Sequence, residues 1–111
     1  MGSSQDLRDE ELVALCQQGQ GQSFEVLVRR YMEKAYRIAY DFTRDKEMAK
    51  DLSQDAFLRA YANIKQFDGR SSFYTWFYRI VVNLCLDYAR RKGRVKWERS
   101  EERRVGKECR L

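Results

Sequence analysis

A chain of 111 residues without a single proline, and with only six glycines, carries little that would stop a helix once started. Long helices are therefore expected, and the apolar residues repeat accordingly. The clearest period runs through Asp51–Tyr61 and on to Phe67. At roughly 100° per residue, Ala49, Leu52, Ala56, Ala60, Ile64 and Phe67 fall within one third of a helix, while Asp51, Gln54, Asp55, Leu58, Tyr61 and Lys65 fall opposite. The first stripe is a core. The second mixes acidic, amide and apolar groups on an outer face, a combination suited to a protein partner.

The same logic orders the rest of the chain. Met1-Gly-Ser-Ser has the composition of a vector-encoded leader, and residues 1–5 are expected to be disordered. Asp9 is placed to cap a short helix with Leu12, Val13, Leu15 and Cys16 on one side, broken by the run Gln17–Gln22. Ser23 offers a cap for a long second helix, in which Phe24, Leu27, Val28, Tyr31, Ala35, Ile38, Ala39 and Phe42 repeat at three and four. Arg29, Arg30, Lys34 and Arg37 project elsewhere on it, as a solvated face, with auxiliary DNA contact as a second reading. Asp45 caps the third helix, which should reach about Phe67. The loop Phe67–Ser72 follows, then a fourth helix capped by Ser71 or Ser72 and ended by Gly93. On that helix Phe73, Trp76, Phe77, Ile80, Leu84 and Tyr88 share one side, and Thr75, Arg79, Asn83 and Arg90 line another. The expected fold is all-α: a compact, single-domain bundle of three main helices plus a short N-terminal one.

Several function classes are excluded. There is no histidine, no Gly-rich phosphate loop and no Cys-x-x-Cys pair, so neither catalysis, a metal nor a cofactor is indicated. Cys16 and Cys85 sit on apolar faces and read as buried structural thiols; Cys109 lies far from both. No apolar run approaches the ~20 residues of a membrane span, and no signal pattern opens the chain, so a cytoplasmic protein is expected. Of the net charge of +5, residues 90–111 contribute ten Lys/Arg against four Glu, a local +6. The basic character is a C-terminal feature, in a segment without sustained period that reads as a tail or linker.

An aromatic-rich stretch beside a glycine loop, followed by a helix with a Thr/Arg/Asn stripe and a basic end, suits single-stranded DNA. Unstacked bases need flat surfaces and hydrogen-bonding edges, while Arg and Lys take the phosphates. Phe67, Tyr74 and Trp76 can supply surfaces; Asn83 and the backbone of Gly69–Ser72 can supply edges.

Asp51-Leu-Ser-Gln-Asp-Ala-Phe-Leu-Arg-Ala-Tyr61 resembles the core-binding motif of bacterial sigma factors. Phe73-Tyr-Thr-Trp-Phe-Tyr-Arg-Ile-Val-Val-Asn-Leu-Cys-Leu-Asp-Tyr-Ala-Arg-Arg91 looks like the segment with which the extracytoplasmic-function (ECF) group recognises and opens promoters, and Ser23–Tyr31 is similar to that group too. The resemblance covers about residues 6–95, as a region-two domain, and leaves residues 96–111 as a basic linker or vector-derived tail. It implies that Asp51, Gln54, Asp55, Phe57, Leu58 and Tyr61 dock onto the coiled coil of the largest subunit of core RNA polymerase. It further implies that Phe67, Asp68, Gly69, Arg70, Ser71 and Ser72 form the loop that captures a flipped non-template base of the minus-ten element, with Asn83 lining that pocket. Arg79, Arg90 and Arg91 fit contacts to phosphate or to the upstream edge of the element, and Thr75 and Trp76 complete the DNA-facing set.

The family's second helical domain, which binds the minus-thirty-five element, has no counterpart in these residues. The expectation is therefore the promoter-melting domain alone, acting by binding. An alternative is an interaction module held by an anti-sigma factor through the same outer face. A homeodomain-like duplex binder is a third reading, and would bind double-stranded DNA without polymerase. Nothing in the sequence suggests an obligate dimer.

Overall fold

The computed structural model describes the backbone of residues 7–100 and the side chains as far as Arg91. Helices α1 (Asp9–Gln17), α2 (Gln22–Thr43), α3 (Lys46–Ala62) and α4 (Phe73–Ser100) form the bundle, with a 3₁₀ turn at Ile64–Gln66 between α3 and the loop. The all-helical expectation holds. Helix α2 is the centre of the packing, touching all three others, and α3 and α4 also pack on each other. Among the described residues no helix is long and apolar enough to cross a membrane.

The core follows the apolar period. Ala35 and Ala39 of α2 and Ala49, Ala56 and Ala60 of α3 are almost completely buried, and side chains this small let α2 and α3 run close together. Leu12, Leu27, Phe73, Phe77, Val81 and Cys85 fill the rest. Cys16 and Cys85 are free, buried thiols, and burial pushes both above their ordinary pKa.

Two caps form as the sequence suggests. Asp45 Oδ1 accepts from the N–H groups of Glu47 and Met48 at 2.9 and 3.1 Å, closing the first turn of α3. Ser72 Oγ accepts from the Thr75 N–H at 3.1 Å and starts α4, resolving the choice between the two serines.

Other boundaries differ from the sequence reading, each for a local reason. Asp9 is not the cap of α1 but its first residue, because its carboxylate is taken by Arg30 Nη1 at 2.8 Å and by the Tyr31 hydroxyl. Arg30 is thus part of an α1–α2 clasp, reaching the Leu7 carbonyl as well, and not a solvated cation. Burial, followed by the bond to Asp9, raises the Tyr31 phenol far above its usual pKa. Ser23 does not cap α2; the helix begins at Gln22, and Ser23 is buried against the bundle. Phe42 is 42% exposed and does not join the core, one residue before α2 ends and the chain turns at the left-handed Arg44.

Helix α3 stops at Ala62, not near Phe67: Asn63 folds its side-chain amide back to the Arg59 carbonyl, and the chain tightens into the 3₁₀ turn. Gly93 does not end α4, which passes through it to Ser100. A helical glycine costs only about 1 kcal/mol, and the Lys, Arg and Glu around it are good helix formers with no proline to oppose them. The expected tail thus begins as helix, and its part from residue 101 lies outside the described residues.

Candidate functional site

Two surfaces carry the residues that the sequence singles out, and one continuous stretch, α3 with its 3₁₀ extension, supports both. On the outward ridge of α3, Asp51, Gln54, Leu58 and Tyr61 are exposed and Asp55 is half-buried. Leu58, at 68% exposure, is the most open large apolar side chain described. Asp55 is engaged by Arg59 at 3.6 Å, which leaves Asp51 as the ridge carboxylate without a recorded ion pair.

Phe57 does not belong to the ridge. Its position on α3 turns it inward, where it is 7% exposed and stacks on Phe77 with ring centroids 4.5 Å apart. Only its edge reaches the surface, at a mostly apolar cleft of about 490 Å³ between α2 and α3 that Met32, Tyr36 and Gln54 also line.

Tyr61 is held by its surroundings. Its ring lies 5.2 Å from that of Phe24, and its hydroxyl is so near the α1–α2 turn that a Cβ on Gly21 would lie 2.6 Å from it. Gly21 has an ordinary helical φ of −62°, so a Cβ there would meet no backbone strain and would displace only the Tyr61 hydroxyl end.

The second surface is the loop. Phe67, Asp68, Gly69, Ser71 and Ser72 face α1 across a cleft of about 430 Å³, whose other wall is Glu10, Val13, Ala14 and Gln17. Gly69 takes φ +81°, a backbone state open to glycine and costly for most side chains. Asp68 folds the turn by accepting from the Arg70 N–H at 3.0 Å, and it pairs with the Arg70 guanidinium at 3.1 Å. Phe67 packs on Trp76 at 5.1 Å, and Trp76 in turn on Phe73 at 6.0 Å, so the aromatic floor beside the loop is built from both elements.

Asn83 is not part of that cleft. It lines a smaller one of about 190 Å³ between α3 and α4, with Arg59, Asn63, Ile80, Leu84 and Asp87. Eleven residues of helix separate it from Ser72, roughly 16 Å of rise, so the two clefts are separate sites. Arg79 and Arg91 are exposed; Arg90 is exposed too but bonds Asp87 one turn before it. Thr75 is half-buried, its hydroxyl receiving the Ser72 hydroxyl at 3.0 Å. Tyr74 is not a free platform, because it stacks on Tyr31 at 5.3 Å with the Lys34 ammonium 5.1 Å from its ring.

Gln17 is the functional-site residue that sequence reasoning missed. It sits in a Gln/Gly run that reads as a mere turn, yet its side-chain Nε2 donates to the carbonyls of Ile64 and Phe67, both at 2.9 Å. Its partners lie about fifty residues away, so no local pattern could have signalled it.

Comparison with known proteins finds relatives in sequence and in fold. The family model described as "Sigma-70 region 2" matches residues 27–95. The chain is 37% identical over 87 residues to the RNA polymerase sigma-H factor of Pseudomonas aeruginosa, covering 78% of this chain and 45% of that protein. It is 37% identical over 91 residues to the ECF RNA polymerase sigma-E factor of Haemophilus influenzae, with coverage of 82% and 48%. The chain thus spans about half the length of the curated relatives it matches. Among solved structures, an NMR complex of an engineered region 2 of sigmaE with GTAAAA superposes with a TM-score of 0.71 at 32% identity, covering 93% of this chain and 100% of that one.

Proposed function

Because the chain belongs to the sigma-70 region 2 family, a group of non-enzymatic transcription-initiation factors, we propose that it works by binding two partners at once. The ridge of Asp51, Gln54, Leu58 and Tyr61 docks onto the coiled coil of the largest subunit of core RNA polymerase, in the cytoplasm. The cleft between α1 and the Phe67–Ser72 loop then holds an unstacked base of the non-template strand of the promoter minus-ten element. Arg79, Asn83 and Arg91 contact the same element farther along α4. Extracting a base costs a few kcal/mol, and stacking on an aromatic surface returns about 1–3 kcal/mol, so capture offsets much of the unpairing without a chemical step.

The observation that carries this reading is the cleft: a concave site bounded by Phe67, Phe73 and loop backbone, on a chain whose structural neighbour was solved in complex with GTAAAA. The same outer face also suits an anti-sigma factor. The exposure of Met32 at 49% beside the apolar α2–α3 cleft favours that second reading, in which an anti-sigma partner and polymerase exclude each other.

The test is binding of the domain to short single-stranded oligonucleotides that differ at one base of a candidate minus-ten element. Affinity should be weak, micromolar or poorer, and steeply salt-dependent, with a preference for one base that Phe67→Ala, in the wall of the capture cleft, reduces. Binding indifferent to sequence in both proteins would refute base capture, and tight binding to duplex DNA without polymerase would refute the mechanism.

A further inference from the structure

We infer that Gln17 is a positioning residue for the capture loop, and that α1 thereby acts as its strut; this rests on the capture reading above. The loop leaves the 3₁₀ turn through two carbonyls, those of Ile64 and Phe67, at the point where regular hydrogen bonding ends. Ile64 O accepts from the Phe67 N–H at 3.2 Å and has one lone pair left; Phe67 O lies past the turn. The Gln17 amide nitrogen satisfies both at 2.9 Å with its two protons. A primary amide suits this task because it presents two donors in one plane from one atom. Gln17 also lines the cleft.

The strut is anchored at its other end. Asp9, at the start of α1, is held by Arg30 and Tyr31 of α2, and Leu12, Val13 and Cys16 are buried between. Gln17 is in the last turn of α1, so the clasp at one end and the amide at the other fix the distance between α2 and the loop. Where Phe67 lies relative to Val13 and Ala14, and hence the width of the cleft, follows from those two bonds.

The experiment uses Gln17→Met, which keeps length and removes both donors, and Gln17→Lys, whose ammonium can reach the same carbonyls. Amide exchange is followed by NMR at Gln66, Phe67 and Arg70, all hydrogen-bonded in this loop, against buried amides of α4 as the global reference. Losing two ordinary hydrogen bonds should speed the loop amides by about tenfold while α4 is unchanged, with Gln17→Lys restoring protection. The ratio of affinities between the preferred and a single-base-altered oligonucleotide should fall about threefold or more in Gln17→Met, and docking to the coiled coil should not change. Unchanged loop exchange, or faster exchange with undiminished base preference, would overturn the inference. A wild-type domain without base preference would sink the capture reading alone, since the exchange comparison still decides what Gln17 does.

Discussion

Replacing Gly21 by Ala tests whether Tyr61 is held ready for a partner. The new Cβ would lie 2.6 Å from the Tyr61 hydroxyl oxygen, 3.5 Å from Cζ and 3.7 Å from Cε1. To regain an ordinary contact the phenol end must move by roughly 0.8 Å or more, off its place on Phe24. Stability should hardly change: at a helical φ of −62°, Gly→Ala gains about 0.4–1 kcal/mol from the unfolded chain, and loosening the Tyr61–Phe24 contact costs a similar ~0.5–1.5 kcal/mol. Docking should suffer, because a side chain no longer fixed must be ordered on binding, at about 0.5–1.5 kcal/mol, a twofold to tenfold loss of affinity. The assay is calorimetric titration of the polymerase coiled-coil fragment into the wild type, Gly21→Ala, Tyr61→Phe and the double variant, with thermal melts of each. Without its hydroxyl, residue 61 presents only the Cζ and Cε1 contacts to the new methyl, both ordinary, so the double variant should bind like Tyr61→Phe alone. Equal losses for Gly21→Ala in the presence and absence of the hydroxyl would refute the steric argument. If Tyr61→Ala leaves docking intact, the ridge itself has been misassigned.

Charge reversal at Asp51 and Asp55 should weaken coiled-coil binding by tenfold or more, while binding to oligonucleotides is kept or slightly strengthened by the added positive charge; equal loss of both would break the separation of the two surfaces. Asp45→Ala removes two backbone hydrogen bonds at the start of α3 and should cost about 1 kcal/mol, read as a fall in Tm of about 4–8 °C. Cys16 and Cys85 should resist alkylation at neutral pH in the folded domain, measured with Cys109 replaced by Ser. Their raised pKa also fixes a sign: the unfolded thiols ionise first, so stability should fall as pH climbs past the ordinary thiol range toward the higher folded values, and Tyr31 acts in the same direction at still higher pH. Melts that show stability rising over that range would contradict the burial of these groups.

What the sequence could convey was whatever repeats along one helix. The stripe from Ala49 to Ile64 and its outward counterpart are both where a 3.6-residue period places them, and the caps at Asp45 and Ser72 were visible as single residues beside periodic segments. Errors arose where a distant partner outbid the local signal. Asp9 looks like a cap until Arg30 and Tyr31 claim its carboxylate. Tyr74 looks like a platform until Tyr31 covers it, and Phe57, assigned to docking by family position and never by spacing, stacks inward on Phe77. Asn83 was assigned to the loop pocket by family position, whereas helical rise alone puts it three turns away, a distance the sequence already contained. Gln17 was illegible for the opposite reason, since its role consists entirely of contacts to another part of the chain.

The two surfaces are also joined through the core. From Tyr61 the rings of Phe24, Phe57, Phe77, Phe73, Trp76 and Phe67 follow one another at centroid separations of 5.2, 6.4, 4.5, 5.8, 6.0 and 5.1 Å, each within the range of direct aromatic contact. The series begins on the outward ridge of α3 and ends in the Phe67–Ser72 loop. A relay of signals would need an element with two discrete arrangements, and a closely packed ring series is the opposite of that. Its consequence is positional: once Tyr61 is seated on a partner, Phe67 has a fixed place relative to it. Under the proposed function, docking would therefore raise the effective concentration of the loop at the promoter without altering its intrinsic affinity for a base. Affinity measured with the isolated domain reports capture alone, and the difference between that value and the affinity of the polymerase-bound domain measures what placement, together with polymerase's own DNA contacts, adds.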